Sequence, residues 1–187
     1  MKSDKEKCSY HDFLLLVGLC KEDHQKELMD ILNNQERPSY LCGHKVPNDL
    51  NSISYGQLDD LQTAAESEDP VVDACKILLG ISKNEIMGED VNKVFGFVNF
   101  VADEVIRINK IFSSIKVSYS SEEKAAGVES LSFGSFGVLD WYAQRMHIPN
   151  QNDVRDISWV RIYQCIKNDN ERNEYERRLS KIYSNKK

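Results

Sequence analysis

The most regular pattern of apolar and polar positions in the chain lies between Val91 and Ile115. Apolar residues recur there in alternating steps of three and four: Val91, Val94, Val98, Val101, Val105, Ile108, Phe112 and Ile115. Steps of this kind form a heptad seam along one side of a helix. Five further apolar residues in the segment widen the seam, which predicts a long central helix over about 90–115 that is packed on several sides. We expect helices of the same chain to cover it, with a partner subunit as the alternative.

Helix ends are marked by short local signals on either side of an acidic stretch. In VPNDLNSISYGQLDDLQ (46–62), Ser54 and Gln57 have the S-x-x-Q spacing of a capping box, which predicts a helix over 55–65. The dipeptide Asp69-Pro70 is typical of a helix N-terminus, and Gly80 of a helix end. The first two carboxylates of the stretch, Asp59 and Asp60, fall near the start of a helix, where the helix dipole favours them.

The N-terminal third predicts one long helix and a short irregular connection. A stripe of apolar positions favours a helix over about Tyr10–Asn33, and a connection rich in Pro, Gly and Asn follows over 37–52. Within that connection, YLCGHKV predicts at most one short β element near 39–47. The members of the predicted core stripe are Phe13, Leu16, Cys20, Leu28, Ile31 and Leu32.

The C-terminal third follows a polar linker, 116–121, and predicts three further helices. The linker ends in the capping-box spacing of Ser120 and Glu123. A helix from about Ser132 to His147 stops before Pro149, and another holds Trp159, Val160, Tyr163 and Ile166. The last is amphipathic, with Tyr175, Leu179 and Ile182 on one face and Glu174 paired with Arg178 one turn away.

Together these elements predict a mainly α fold, a multi-helix bundle around the helix at about 90–115. The 187 residues are enough for a single helical domain, 1–187, that buries a sizeable core. A division into 1–116 and 122–187 at the polar linker is the alternative.

Charge is distributed unevenly along a chain whose net charge is −6. Residues 46–75 contain seven acids and no Lys or Arg, so this segment should repel nucleic acid. Residues 167–187 carry seven basic residues against four acids. Opposite charges at separate places suit head-to-tail self-association or a charged partner, and solvated helix faces are the plainer alternative. The residues predicted to bind partners are Asp59, Asp60, Glu66, Glu68, Asp69, Arg172, Arg177 and Arg178.

The apolar run FLLLVGLC, Phe13 to Cys20, looks at first like the core of a signal peptide. Asp4, Glu6 and Asp12 lie where such a peptide needs positive charge, and eight apolar residues cannot cross a bilayer. We therefore expect a cytoplasmic protein that does not contact membranes. Five cysteines without regular spacing agree with a reducing compartment.

Three cysteines and three histidines near the N-terminus are candidate metal ligands: Cys8, His11, Cys20, His24, Cys42 and His44. Zinc needs four converging ligands, which proteins usually present as tight pairs on turns. No C-x2-C pair is present among them, and Cys20 falls on the predicted core stripe. We expect no metal, and a zinc-stabilised adaptor is the alternative.

No recognised catalytic or cofactor-binding motif is found in the chain. The Walker, dinucleotide-binding, nucleophile-elbow and H-E-x-x-H patterns are absent from the sequence. Phe133 and Phe136, three residues apart in LSFGSFGVLDW, predict a core-facing helix side rather than a ligand loop. We therefore expect a non-catalytic protein without a cofactor. An enzyme whose pocket is built from scattered residues is the alternative, with candidates Tyr55, Asp140, His147 and Trp159.

Four segments carry a resemblance to small helical proteins of tailed bacteriophages, often tail-assembly chaperones. They are ISYGQLDDLQ (53–62), VVDACKILLG (71–80), FGVLDWYAQRM (136–146) and WVRIYQCIKND (159–169). The resemblance implies a non-catalytic assembly protein that binds other tail or virion components in the host cytoplasm. The N-terminal segment rich in Cys and His departs from the typical small chaperone. A structural subunit of the neck, tail or capsid, present in the virion, is therefore an alternative.

Overall fold

The computed structural model describes residues 7–184 and is mainly α-helical, as predicted. Its helices are α1 (Tyr10–Leu19), α2 (Glu22–Leu32), α3 (Tyr55–Ala64), α4 (Pro70–Leu79), α5 (Lys83–Met87), α6 (Val91–Ser113), α7 (Ser121–Ala125), α8 (Gly134–Met146) and α9 (Trp159–Ser184). Short 3-10 helices lie at Val128–Ser130 and Gln151–Asp156. The long helix predicted at about 90–115 is α6.

The short β element is a hairpin in which β1 (Tyr40–Leu41) pairs antiparallel with β2 (His44–Lys45). Its two turn residues, Cys42 and Gly43, have φ values of 46° and 80°. A two-residue turn with positive φ at both central positions matches the right-handed twist of the strands it joins. The prediction of one short β element near 39–47 is therefore confirmed.

The predicted helix boundaries around the acidic stretch are confirmed at the level of hydrogen bonds. Gln57 N donates to Ser54 Oγ and Ser54 N donates to Gln57 Oε1, both at 3.1 Å, which is a complete capping box at the start of α3. Asp69 caps α4 by accepting from Val72 N at 3.4 Å. Gly80 ends α4 with a left-handed φ of 67°.

The single helix predicted over Tyr10–Asn33 is wrong, because the chain breaks it after Leu19. Cys20 and Lys21 adopt extended backbone, with ψ values of 150° and 151°. Gln25 Nε2 donates to the carbonyls of Val17 and Cys20 at 2.8 and 3.1 Å. The Val17 carbonyl also accepts from Cys20 N at 3.3 Å, and the added bonds from the Gln25 side chain stabilise the break locally.

The core stripe predicted for this region is wrong for the same reason. Phe13 and Leu32 are buried, whereas Leu16 and Ile31 are exposed and Cys20 is half-buried. A stripe at helical spacing stays on one side only while the helix is continuous. Once the helix ends at Leu19, the two halves of the stripe no longer face the same way.

The two helices predicted after Pro149 form one continuous helix, α9, so the predicted interruption is wrong. Its polar middle contains no proline or glycine that would end a helix. The predicted pair of Glu174 and Arg178 is also absent, because Glu174 instead lies 3.8 Å from Arg177 Nη1. Residues three apart on a helix are neighbours as much as residues four apart.

The backbone groups into two compact units, and the units alternate along the sequence. The first comprises the described residues up to Leu50 together with Asp60–Arg107, and the second comprises Asn51–Asp59 together with the described residues from Ile108 onward. The predicted single domain, and the alternative division at the polar linker, stay predictions.

The core of the first unit is built around the N-terminal half of α6. The ring of Phe95 lies edge-on to Phe13, with 5.4 Å between centroids, and 6.2 Å from Tyr10. Asn99 Nδ2 donates to the Leu32 carbonyl at 2.8 Å, which ties the end of α2 to α6. Burial raises the pKa of Tyr10 to about 12, and the nearby Asp69 adds to the rise.

The core of the second unit joins the end of α6 to α9 and α8. Phe112 packs against Trp159 and Tyr163, with ring centroids 6.0 and 5.5 Å away. Arg145 holds Asp169 through two bonds, from Nε at 2.9 Å and from Nη2 at 3.0 Å. These bonds lower the pKa of Asp169 and link α8 to α9.

Candidate functional site

The apolar seam of α6 opens on a groove within the first unit. Val94 and Val101 of the seam are buried, whereas Val98 and Val105 are half-buried. Beside them, Ile106 leaves 51% of its surface exposed. Two seam positions and one neighbouring isoleucine therefore offer apolar surface to a molecule that enters the groove.

The opposite wall is formed by α3 and α4, mostly through small side chains. The end of α3 and the residue after it contribute Leu61, Ala64 and Ala65, and α4 contributes Pro70 and Ala74. The groove measures about 330 Å³ and its lining is almost entirely apolar. Alanines in place of larger residues leave this volume open, so bulky apolar side chains of a partner would find space there.

Acidic side chains lie next to this groove in the sequence and at the surface. Glu66 follows the lining residue Ala65, Asp103 follows the lining residue Ala102, and both acids are exposed. Asp69, also predicted to bind partners, is instead engaged within the unit, by Lys83 Nζ at 2.9 Å and as the cap of α4. The groove is thus apolar inside, and on each of its two walls an exposed acid directly follows a lining residue in the sequence.

Of the other acids predicted to bind partners, one is bound within its own unit and two are exposed at the surface. Asp59 was expected on an exposed turn, but it is half-buried and binds Arg155 Nη1 at 2.9 Å. That expectation is wrong, because the second unit brings a basic residue to it from far along the chain. Asp60 and Glu68 are exposed.

The predicted basic residues lie on the C-terminal half of α9. Arg172 and Arg178 are exposed. Arg177 Nη2 instead donates to both oxygens of Glu123, at 3.1 and 3.2 Å. Two of the three arginines therefore remain at the surface, while the third stabilises the second unit.

The six proposed metal ligands are spread over the first unit. His11, His24 and His44 are exposed on α1, α2 and β2, and Cys20 lies in the break between α1 and α2. Within residues 7–184, no group of three or more His, Cys, Asp or Glu side chains is placed to hold a metal ion. The structure assigns these residues to separate places. The prediction that the chain binds no metal stays a prediction.

Cys42 has the most constrained surroundings of these six residues. Its N–H donates to Glu89 Oε2 at 2.8 Å and its Sγ lies 3.4 Å from the Glu85 carbonyl. Burial raises the pKa of its thiol to about 11, and the carboxylates of Glu89 and Glu85 raise it further. A thiol with so high a pKa is a poor nucleophile and a poor metal ligand near neutral pH.

The four residues proposed for an enzyme without a recognised motif each have a structural role. Burial raises the pKa of Tyr55 to about 12, and the nearby carboxylate of Asp59 adds to the rise. Asp140 accepts from Gln144 Nε2 at 2.6 Å and from Gln151 Nε2 at 3.2 Å. His147 caps the end of α8 with a φ of 55°, and Trp159 is buried against Phe112. Each residue has a structural role in capping, packing or hydrogen bonding, and the prediction that the chain is non-catalytic stays a prediction.

Phe133 and Phe136 were predicted to face the core, and this prediction is wrong. They are 71% and 61% exposed, and Phe133 lines a hollow of about 420 Å³ with Trp141 and Ile166. The core of α8 is formed instead by Leu139, Tyr142 and Ala143. This hollow is an apolar surface of the second unit that the sequence did not predict.

A further exposed apolar surface was missed on α1. Leu14, Leu15, Leu16 and Leu19 are all exposed. The run FLLLVGLC predicts a core stripe, and the exposure of its leucines is a difference from that prediction. The three consecutive leucines, 14 to 16, could have indicated this exposure, because consecutive residues on a helix point in different directions and cannot all face one core.

Comparison of the chain with protein-family models, with curated proteins and with solved structures finds no significant match. The resemblance to tail-assembly chaperones therefore stays a prediction. In the part of the chain that the structure describes, none of the helices combines the length and the apolar character that crossing a membrane requires.

Proposed function

We propose that this chain is a non-catalytic interaction protein that binds a helical segment of a partner in the groove between α3, α4 and α6. The observation that carries the proposal is the half-open seam, where Val98, Val105 and Ile106 face an apolar groove of about 330 Å³. A surface of this kind is typical of sites that take the apolar face of an amphipathic helix.

The chemistry of the groove sets the chemistry of the partner. Apolar side chains spaced one turn apart would fill the lining, and Lys or Arg beside them would meet Glu66 and Asp103 at the edge. Following the resemblance, the partner is another tail or virion protein and the chain acts as an assembly factor in the host cytoplasm. The proposed function involves no cofactor, nucleic acid or membrane.

The test is co-purification with the products of neighbouring genes, expressed together with the tagged chain. We expect a tail or virion protein, identified by mass spectrometry, to bind the wild-type chain. Ala102→Lys, which fills the groove at an exposed position of α6, should abolish that binding. Asn84→Lys adds the same charge on α5, away from the groove lining, and should leave it intact.

Binding that both variants retain would show that the groove is not the site. The virion itself distinguishes the alternative role. An assembly factor should be absent from the mature particle, whereas a structural subunit of the neck, tail or capsid should be present in it. Neighbouring genes unrelated to phage structure would remove the phage context but leave the groove as an interaction site.

A further inference from the structure

The C-terminal half of α9 has an exposed apolar stripe at its surface. Tyr175 and Ile182 are 57% and 54% exposed, and the half-buried Leu179 lies between them. A helix turns about 100° per residue, so the three side chains fall within a sector of about 60°. Exposed apolar residues at steps of four and three form the face that a helix presents to a groove.

Basic side chains border this stripe on both sides, and the one acid nearer to Tyr175, Glu171, lies 3.9 Å from Lys167 Nζ. Arg172 and Arg178 are exposed, and the same helical geometry places each about 60° from Tyr175, in opposite directions. Arg177 is about 200° from Tyr175, and it binds Glu123 of its own unit at 3.1 Å. Because of that ion pair, the side of α9 that carries Arg177 faces the rest of the second unit, and the stripe on the other side faces outward.

We infer that the stripe of one copy, formed by Tyr175, Leu179 and Ile182, occupies the groove of a second copy of this chain. The inference rests on the proposed function, because it names an occupant for the same groove. The stripe and the groove are both apolar, and exposed charges of opposite sign lie near them. Arg172 and Arg178 flank the stripe, and Glu66 and Asp103 each follow a lining residue of the groove.

The distribution of charge favours this occupant over a neutral helix. The lining residues of α3 and α4 lie in the segment 46–75, which contains no Lys or Arg to repel a basic helix, and the first basic residue after it is the exposed Lys76 on α4. Since each copy has one groove and one stripe, the contact is heterologous: copies join head to tail into a ring or an open chain. When no other virion protein is present to bind the groove, we expect the stripe of a second copy to occupy it.

The first test compares single variants with matched controls by sedimentation velocity at low salt. Ala102→Lys blocks the groove and Ile182→Glu places a carboxylate in the stripe, so each should weaken self-association at least about tenfold. Asn84→Lys and Ser180→Glu add the same charges at exposed positions away from the groove lining and the stripe, and they should associate like the wild type. Association should also weaken as salt is raised, because exposed charges are screened.

The decisive test mixes the two impaired variants. The Ile182→Glu copy keeps an intact groove and the Ala102→Lys copy keeps an intact stripe, so an equimolar mixture should form a heterodimer that stops at two copies. Recovery of this kind is expected only from a heterologous contact. Thermal melts of each variant check folding, and Ala65→Lys, also exposed and also in the groove lining, replaces Ala102→Lys if that variant melts early.

A wild-type chain that is monomeric at low salt would overturn the inference, as would single variants that associate normally or a mixture that stays monomeric. The proposed function is judged separately, by the virion partner. If Ala102→Lys loses that partner while the wild-type chain is monomeric, the groove's function stands and only self-association is wrong. If Ala102→Lys changes neither assay, both are wrong.

Discussion

Arg155 Nη1 donates to Asp59 Oδ2 at 2.9 Å, although the two residues are 96 positions apart in the sequence. Arg155 Nη2 also donates to the carbonyl of Gly56 at 3.3 Å, so one guanidinium holds the first turn of α3 at two points. An acid predicted to bind a partner is thus part of the second unit's own packing.

Reversing the charge of Asp59 should therefore destabilise the fold. In Asp59→Lys, the half-buried Arg155 guanidinium loses its charged acceptor and faces a like charge, and the free energy of unfolding should fall by about 1–3 kcal/mol. Urea denaturation followed by circular dichroism measures the loss. Glu68→Lys, an exposed acid of the same predicted set, should change it by less than about 0.5 kcal/mol. Equal effects of the two reversals would contradict the structural role of Asp59.

Gly96 and Gly18 should respond oppositely to alanine. A Cβ on Gly96 would overlap the backbone carbonyl of Glu36, which is not free to move like the end of a side chain. Gly96→Ala should lower the free energy of unfolding by about 1–3 kcal/mol. At Gly18, in α1, a Cβ meets no atom within 4 Å, so Gly18→Ala should raise it by about 0.4–1 kcal/mol. A melting temperature of Gly96→Ala that does not fall would contradict the close approach at Gly96, and one of Gly18→Ala that falls would contradict the free space at Gly18.

Glu104 should make the fold sensitive to acid. It accepts from Leu50 N at 2.8 Å and from Arg107 Nε and Nη2 at 2.7 Å each, and the bonds from Arg107 are the first cause that lowers its pKa. A pKa lowered in the folded state adds stability above the unfolded value of 4.5, and this stability is lost as pH falls through the folded pKa.

The Glu104→Gln variant provides the measurement. It should be less stable than the wild type at pH 7 and should lose less of its stability between pH 7 and the acid limit. Denaturant titrations at several pH values test this, with Asp103→Asn, an exposed neighbour, as the control. Wild-type and Gln curves that stay parallel below pH 4.5 would rule out the proposed linkage.

Val101 should be far less tolerant of charge than the next residue. Val101 is buried under the groove, so Val101→Asp places a carboxylate without a partner in an apolar surrounding and should cost about 3 kcal/mol or more. Ala102→Asp, one position on and exposed, should cost less than about 1 kcal/mol. A normal melting temperature for Val101→Asp would mean that this part of the seam faces solvent.

The prediction that the chain holds no structural metal is tested on the purified protein. Elemental analysis should find well below one zinc per chain, and a chelator should leave the melting temperature unchanged. One zinc per chain together with unfolding by the chelator would establish the zinc-stabilised adaptor instead. Cys42→Ser would then be expected to remove the metal only if the hairpin supplied a ligand.

Local signals predicted local structure well. The predicted capping box of Ser120 and Glu123 is confirmed: Ser120 N donates to Glu123 Oε2 at 2.7 Å, and Glu123 N donates to Ser120 Oγ at 3.2 Å. It could be predicted because all of its partners lie within four consecutive residues. Ser82 and Glu85 have the same spacing and cap α5, a helix that the sequence could have predicted from that signal and that was missed.

What the sequence could not supply is the identity of the neighbour that covers an apolar face. Spacing placed Phe133 and Phe136 on one side of a helix, but α8 packs through Leu139 and Tyr142 and leaves the phenylalanines outside. The groove could not be predicted for the same reason. The heptad pattern shows that one side of α6 is apolar, but it does not show that alanines on α3 and α4 lie opposite and leave space. The partner of Asp59 was equally hidden, because no local pattern points to Arg155.

The alternation of the two units along the chain has a consequence for synthesis on the ribosome. Tyr55 N donates to the Ile157 carbonyl at 2.7 Å, and Ser54 forms a β-bridge with Ser158. At about 5–20 residues per second, the nascent segment 51–59 waits for roughly 5–20 s before its partners emerge. During that interval the second unit cannot close, because Phe112 at the end of α6 has to wait for Trp159 and Tyr163, the rings that it packs against.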